Sequence, residues 1–361
     1  MEKLEMRSLE RVKCAIGHQQ PDRIPIDLRF APEMLDKLLS ELHLDEYQFW
    51  DWAGQDIYTI RPKYKSPASN IKYADPTIEI DEKGYYLDIY RVPFKSITTN
   101  SQTYLEPVVA SPLEEINTLE GIDQFPWPTA AAWDYSQIET DIDLKSDKAV
   151  WSRTRGVFQT AQLMRGMERF LFDLALEPEF ACRIMDHILD FIYEDAQFTI
   201  EAGNGKYTYV EYNDDVATQR GMLISPAMWR KYVKPRMKKF CDMIHSHGVL
   251  VKYHSCGSVY AIIPDLIEIG VDVLNPIQTL AANMDPFKLK KEFGKDLCFH
   301  GAIDIQYLLP QGTTQEVRDY VQKLIDIVGK DGGYILAGTH TIQIDAKIEN
   351  IITMVEVAQG H

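Results

Sequence analysis

No run in this chain of 361 residues approaches the roughly 18 uninterrupted apolar residues that a membrane-spanning helix needs, so no membrane span is expected. Positive charge is also short: 38 Lys and Arg face 54 Asp and Glu, a formal net charge of −16. That balance argues against nucleic acid or an anionic membrane as partner. It equally disfavours a highly carboxylated substrate, unless a local arginine cluster overrides the field. Cysteine is scarce. Cys14, Cys182, Cys241, Cys256 and Cys298 are odd in number and show no framework spacing, which fits a reducing compartment and a thiolate role for any special cysteine. The first 23 residues, MEKLEMRSLERVKCAIGHQQPDR, are charged and helix-like rather than an apolar leader, and a cytoplasmic location is the expectation. Neither an internal repeat nor a low-complexity tract interrupts the chain.

What is present is an ordinary globular composition, 45% hydrophobic and 25% charged, long enough for one large domain over 1–361. Short apolar runs recur at 24–28, 57–60, 149–153, 207–212, 249–253, 271–274, 297–301 and 334–337. Helical patterns separate most of them. In 179–203, Ile184, Ile188 and Ile192 recur at i+4; in 315–329, Val317, Val321, Leu324, Ile325 and Val328 share a face between Thr313-Thr314 and Gly329. Eight strands alternating with helices predict an α/β fold, a (β/α)₈ TIM barrel. The segment 69–110 breaks the alternation. Within it, 77–94 reads as a hairpin around Asp81-Glu82-Lys83-Gly84, an inserted excursion serving as a lid or as the contact of a homodimer.

Side chains just past the C-terminal ends of barrel strands line the active-site face. The candidates on that rim are Glu211, Asn213, Asp214, Asp215, Gln219, His254, Cys256, Asn275, His300, Asp304 and His340. His254 and Cys256 lie two residues apart in 251-VKYHSCGSV-259, next to the permissive Gly257. Such a pair either wraps one metal ion or simply packs and hydrogen-bonds in the loop. His245 and His247 precede the strand; five residues at ~3.3 Å each put them roughly 16 Å away, at the opposite end of the barrel. His340, after the last strand, offers a third ligand. Glu211 is the candidate fourth, or else it orients substrate or pairs with an arginine. Asp214 and Asp215 read either as a solvated turn or as a general base and substrate acceptor.

Five stretches carry a family resemblance: 11-RVKCAIGHQQPDRIPID-27, 153-RTRGVFQTAQLMRGMERFLFDLALEPE-179, 213-NDDVATQRGMLISPAMWRKYVKPRMKK-239, 251-VKYHSCGSVYAIIPDLIEIGVDVLNPIQ-278 and 299-FHGAIDIQYLLPQGT-313. Together they resemble the uroporphyrinogen decarboxylase superfamily, which implies a (β/α)₈ barrel. True decarboxylases of the superfamily carry an arginine-rich RQAGRY-type motif and use no metal. Here the corresponding stretch, 25-PIDLRFAPEML-35, has only Arg29, too few guanidinium partners for a multiply carboxylated porphyrinogen.

The chain instead resembles the branch of zinc-dependent, cobalamin-linked methyltransferases, which places its zinc-binding H-x-C at His254-x-Cys256. The branch's third ligand, commonly Cys in an ILxPGC-type segment, falls at His340 in 335-ILAGTH-340. One thiolate fewer makes a stronger Lewis acid, suited to polarising an ether oxygen. The resemblance therefore implies Zn²⁺ on His254, Cys256 and His340, and transfer of a methyl group from a small donor such as a methoxylated aromatic. The acceptor implied is cob(I)alamin carried by a separate corrinoid protein, because the chain shows no D-x-H-x-x-G module. Glu211, Asp214, Asp215 and Asp304 are the candidate catalytic acids. Arg29, Phe30, Trp151, Tyr212, Gln219, Asn275 and His300 are the candidate substrate contacts. Three alternatives stand beside this: a metal-free decarboxylase, a thiol-directed methyltransferase using methylcobalamin, and a barrel-fold binding protein whose His and Cys are incidental.

Overall fold

A computed structural model describes residues 5–65, 79–99, 102–108 and 111–360. Among them, seven parallel strands follow one another in chain order around a curled sheet: β1 (Ile57–Thr59), β2 (Ala149–Arg155), β3 (Tyr209–Asn213), β4 (Leu250–His254), β5 (Val273–Ile277), β6 (Cys298–Ile303) and β7 (Tyr334–Gly338). Helices connect them, giving a TIM-barrel-like α/β architecture. The first of the eight expected strands, 24–28, is not a ladder. It contributes a single parallel bridge, Ile26 with Leu336. Asp27 N donates to Leu336 O and Leu336 N to Pro25 O, both at 2.9 Å. Pro25 itself has no N–H to give. On the β1 side one backbone bond, Asp56 N to Ile26 O at 3.0 Å, is supplemented by the Gln55 side chain: its Oε1 accepts from Leu28 N at 2.8 Å and its Nε2 donates to Ile57 O at 2.7 Å. The gap between β7 and β1 is thus closed by a few backbone bonds of this segment and by a side-chain amide.

Period-2 alternation sorts the barrel interior by polarity. At the N-terminal end, Ile57, Trp151, Tyr209, Val273, Cys298 and Ile335 form an apolar floor, plugged from below by Val12 and Ile16 of the helix Ser8–Ile16. Two residues further along the strands stand Arg153, Glu211, Lys252, Asn275 and His300 instead. An apolar floor under a polar mouth confines the chemistry to the C-terminal rim.

The outer layer follows its sequence patterns. The helix Pro178–Ala202 buries Ile184, Ile188 and Ile192. The helix Thr314–Lys323 starts on a Thr313/Glu316 capping box, and its last turn, Leu324–Val328, widens into a π-turn before Gly329. No helix among the described residues is long and apolar enough to cross a membrane. Between β1 and β2, Glu79–Ile80, Tyr86–Leu87, Pro93–Thr99 and Gln102–Pro107 form a four-stranded antiparallel sheet. Residues 69–78, the start of the expected excursion, lie outside the described residues. The small sheet is tied to the barrel by Asp88, which accepts from Arg155 at 2.6 Å, and by Thr103 N, which donates to Glu33 at 3.0 Å.

The N-terminal helix is clasped by a buried guanidinium. Arg11, 2% exposed, donates from Nε and Nη2 to Asp22 at 2.7 and 2.8 Å and from Nη1 to Asp56 at 2.7 Å. Burial opposes ionisation of Asp22, but Arg11 and the N–H groups of Met6 and Arg23 outweigh it and bring its carboxyl down to about 2. The Asp22 contribution is therefore complete above the unfolded-state value and lost as pH falls through about 2. Asp22→Asn is expected to cost about 2 kcal/mol at neutral pH and to flatten the pH dependence of stability below about pH 4. Urea unfolding at a series of pH values checks this; a parallel pair of pH profiles contradicts it.

Candidate metal and substrate site

The loop leaving β4 carries the densest group of donors. His254 ends the strand, and Gly257 (φ +85°) turns the chain where a Cβ would press to 2.5 Å from Thr218 O. Gly257 N donates to Gln278 Oε1 at 2.6 Å, and Cys256 N donates to Asp215 Oδ1 at 2.7 Å. Asp215 is held from its other oxygen by Gln159 Nε2 at 2.9 Å. His254 Nε2 then stands 3.7 Å from Cys256 Sγ and 3.9 Å from Asp215 Oδ1. The donor atoms of Asp215, His254 and Cys256 all lie within 4.8 Å of one another. Zinc at ~2.0–2.1 Å from nitrogen or oxygen and ~2.3 Å from sulfur puts tetrahedral donors about 3.3–3.6 Å apart, so these residues fit such an ion with little movement. Burial first, and then the Asp215 carboxylate, push the Cys256 thiol up to about 12. A bound cation would displace that proton.

His340 is on the same rim, its ring centroid 6.4 Å from that of His254 and edge-on to it. It falls outside the compact group. Protein atoms packed around His340, and then the His254 ring, lower its pKa although one edge is open to solvent. Glu211 is engaged elsewhere: its Oε2 lies 2.9 Å from Lys252 Nζ, and both side chains are essentially fully buried. Burial opposes the Glu211 charge, but Lys252, His254 and Arg29 together hold it well below the usual carboxylate range. Burial pulls Lys252 below its ordinary value, against Glu211. Its ammonium sits 3.8 Å from the Trp151 ring centroid, and the Arg29 guanidinium lies 4.3 Å from that centroid. Trp151 is thus a floor beneath two cations.

The remaining sequence candidates separate into those facing the mouth and those built into the frame. Asn275 Oδ1 lies 2.6 Å from His254 Nδ1 and its amide also touches His300 Nδ1; His300 Nε2 reaches Asp27 Oδ2 at 3.0 Å. Gln219 is exposed on a small hairpin and donates to Gln306 at 3.4 Å. Asp214 is fully buried and accepts from Phe158 N (3.2 Å) and Gln159 N (2.7 Å), holding the first turn of the helix Val157–Arg165. Burial first, with Asp215 adding to it, raises Asp214 to about 7 against those two N–H bonds. Asp304 likewise receives the N–H groups of Gln306, Tyr307 and Leu308 and closes a turn. Tyr212 points away from the cavity, packed on Phe240 and Tyr253, with its hydroxyl accepting from Val157 N. Phe30 packs on Phe49 and Trp50. Lys252, Asp27 and Gln159 are the additions. For Lys252 the signal was a charge two residues before His254 in an otherwise apolar strand, which period 2 aims at the same interior. Gln159 lies in a helical pattern and carries no such signal.

Beside the donor group a cleft of about 170 Å³ opens past Asn213 and Gln159, lined by Arg61, Arg153, Arg155, Tyr90 and Trp133 among others. Arg155 and Asn213 are register partners on β2 and β3, and Asn213 pairs with His254 on β4. Strand spacing of ~4.8 Å then sets the Arg155 backbone about 10 Å from that of His254.

The fold and the site together define a TIM-barrel-like protein with a His/Cys/Asp donor group at the mouth. The sequence profile of uroporphyrinogen decarboxylase (URO-D) matches residues 96–361, and the chain belongs to that family. It is similar to a methylated-thiol–coenzyme M methyltransferase of Methanosarcina mazei, 24% identical over 176 residues. That match covers 48% of this chain and 44% of the relative, so the chain spans less than half of that protein's length. Among solved structures, a methyltransferase from Methanosarcina mazei superposes with a TM-score of 0.69 at 15% identity, over 98% of this chain and 99% of the other. This likeness shows a shared fold from end to end, and the relatives fall on the methyltransferase side of the family.

Proposed function

We propose that the protein is a zinc-dependent methyltransferase that moves a methyl group from a small methyl donor, a methoxylated aromatic, to cob(I)alamin on a separate corrinoid protein. The observation that carries this reading is the His254/Cys256/Asp215 donor group at the barrel mouth of a URO-D family chain. Bound there, zinc would supply Lewis acidity toward the donor's oxygen. The chain's own residues do the rest. His254 and Cys256 hold the ion, Gln159 holds Asp215, and Glu211 and Lys252 set the field beneath. The aromatic and guanidinium lining of the adjacent cleft suits a ring-bearing donor. The small antiparallel sheet, anchored at the cleft through Asp88 and Arg155, screens the bound donor from water.

A second reading has its own support. The curated relative is named for methylated thiols, and with Asp215 as third ligand the set carries the same charge as one His and two thiolates. Incubation of the zinc-loaded protein with cob(I)alamin and a panel of methyl ethers, thioethers and methylamines decides between them. Methylcobalamin formed from the ethers supports O-demethylation. Transfer confined to thioethers or thiols selects the second reading, and no transfer with any donor rejects both.

In this reading Asp215 is the third donor, a choice supported by its 3.9 Å approach to His254 Nε2, with His340 as the alternative. Asp215→Ala is expected to weaken zinc binding more than His340→Ala in competition with a chromophoric chelator; the reverse order reinstates His340.

A further inference from the structure

We infer that a chain of four side chains, the buried Asp27, His300 and Asn275 and the half-buried His254, sets the tautomer of His254, so that Asn275 and His300 are positioning residues for the metal-facing nitrogen. The inference rests on the reading that His254, Cys256 and Asp215 hold an ion.

Proton positions along the chain are set from the carboxylate inward. Asp27 is 3% exposed, accepts from Gln55 Nε2 at 3.1 Å and lies 3.4 Å from the Arg29 guanidinium. It is held ionised and can only accept. His300 Nε2, 3.0 Å from Asp27 Oδ2, must therefore carry the proton. His300 is 2% exposed, and burial first, with Lys252 adding to it, lowers it to about 4 against Asp27, so it is neutral. A neutral imidazole with Nε2–H has a bare lone pair at Nδ1. Asn275, 6% exposed, stands between His300 Nδ1 and His254 Nδ1. Its amide has one donating end and one accepting end. The lone pair of His300 selects the NH₂ end, which leaves the carbonyl for His254. Asn275 Oδ1 lies 2.6 Å from His254 Nδ1, so that nitrogen must bear hydrogen. The lone pair of His254 is thereby placed on Nε2, the atom that faces Cys256 Sγ at 3.7 Å and Asp215 Oδ1 at 3.9 Å. A reversed amide would protonate Nε2 instead and turn a ligand into a donor that repels the ion. Partners of this kind commonly contribute about 10- to 100-fold to metal affinity.

The test uses the full chain, first without metal. Long-range ¹H–¹⁵N correlation on ¹⁵N-histidine-labelled protein, at about pH 8 where histidines with ordinary values are neutral, reads both tautomers; His254→Gln and His300→Phe assign the signals. The expected spectrum has His254 protonated at Nδ1 and His300 at Nε2. His254 protonated at Nε2 overturns the inference outright. In Asn275→Leu, and in His300→Phe, which touches neither the ion nor His254, the His254 preference should fade and zinc affinity should fall by about 10- to 100-fold. Unchanged tautomer and affinity in both variants also overturn it. If a variant fails to fold, the wild-type spectrum still decides. A wild-type protein that shows the expected tautomers but takes up no zinc upholds the chain of four and overturns the metal reading on its own.

Discussion

Cys256→Ser is expected to strip the protein of bound zinc under conditions in which the wild type retains about one ion per chain. The sulfur is the softest donor in the Asp215/His254/Cys256 group, and a serine hydroxyl does not ionise near neutrality to replace it. The substitution leaves the loop in place, because what holds it is backbone: Cys256 N to Asp215, Gly257 N to Gln278, and the positive φ of Gly257. A four-donor zinc site carries about 10–16 kcal/mol in total, so losing one strong donor should cost on the order of a hundredfold in affinity or more. His254→Ala should behave alike. Zinc competition on the purified variants measures the loss, with circular dichroism confirming that the barrel is folded. A wild type that never binds zinc removes the zinc-dependent methyltransferase reading and leaves the metal-free alternatives standing. Undiminished zinc in both variants moves the site elsewhere.

The second large effect concerns stability. Lys252→Met should destabilise the fold by about 3–5 kcal/mol, because it leaves the Glu211 carboxylate buried without its counter-charge. Lys252 meets Glu211 at 2.9 Å, between register partners on adjacent strands, and the Trp151 and Tyr209 rings wall in its ammonium. Neither group has water to fall back on. The double substitution Lys252→Met with Glu211→Leu should recover most of the loss, since no uncompensated charge then remains. Chemical denaturation of the three variants tests this. A double variant no more stable than Lys252→Met alone would mean that the cost is packing rather than charge. Zinc retention by the folded double variant separates the pair's structural role from any part in the site above it.

Much of this protein is legible along the chain. Apolar runs of strand length alternate with i, i+4 helical faces, so β1 through β7 and the helices Pro178–Ala202 and Thr314–Lys323 follow from periodicity alone. His254 and Cys256 could be set at the mouth because position along a parallel barrel strand is itself a coordinate: a residue just past the strand belongs to the rim. By the same local reasoning Lys252, two residues earlier, points into the same interior. Contacts between distant segments are not written in that way. The first expected strand, 24–28, became a single bridge where Pro25 cannot donate, and the Gln55 side chain supplements its one backbone bond toward β1. Asp214 and Asp215 are adjacent acids at one strand end, indistinguishable in sequence. One meets the N–H groups of Phe158 and Gln159 and holds a helix; the other meets Cys256 N and joins the donor group. Tyr212 and Glu211 differ by one step of a strand, and that step sends the ring to the helical layer and the carboxylate to Lys252. Local spacing decides which face a side chain takes. Which partner waits there is decided by the shear and closure of the barrel, which bring strands dozens of residues apart to within a few ångströms.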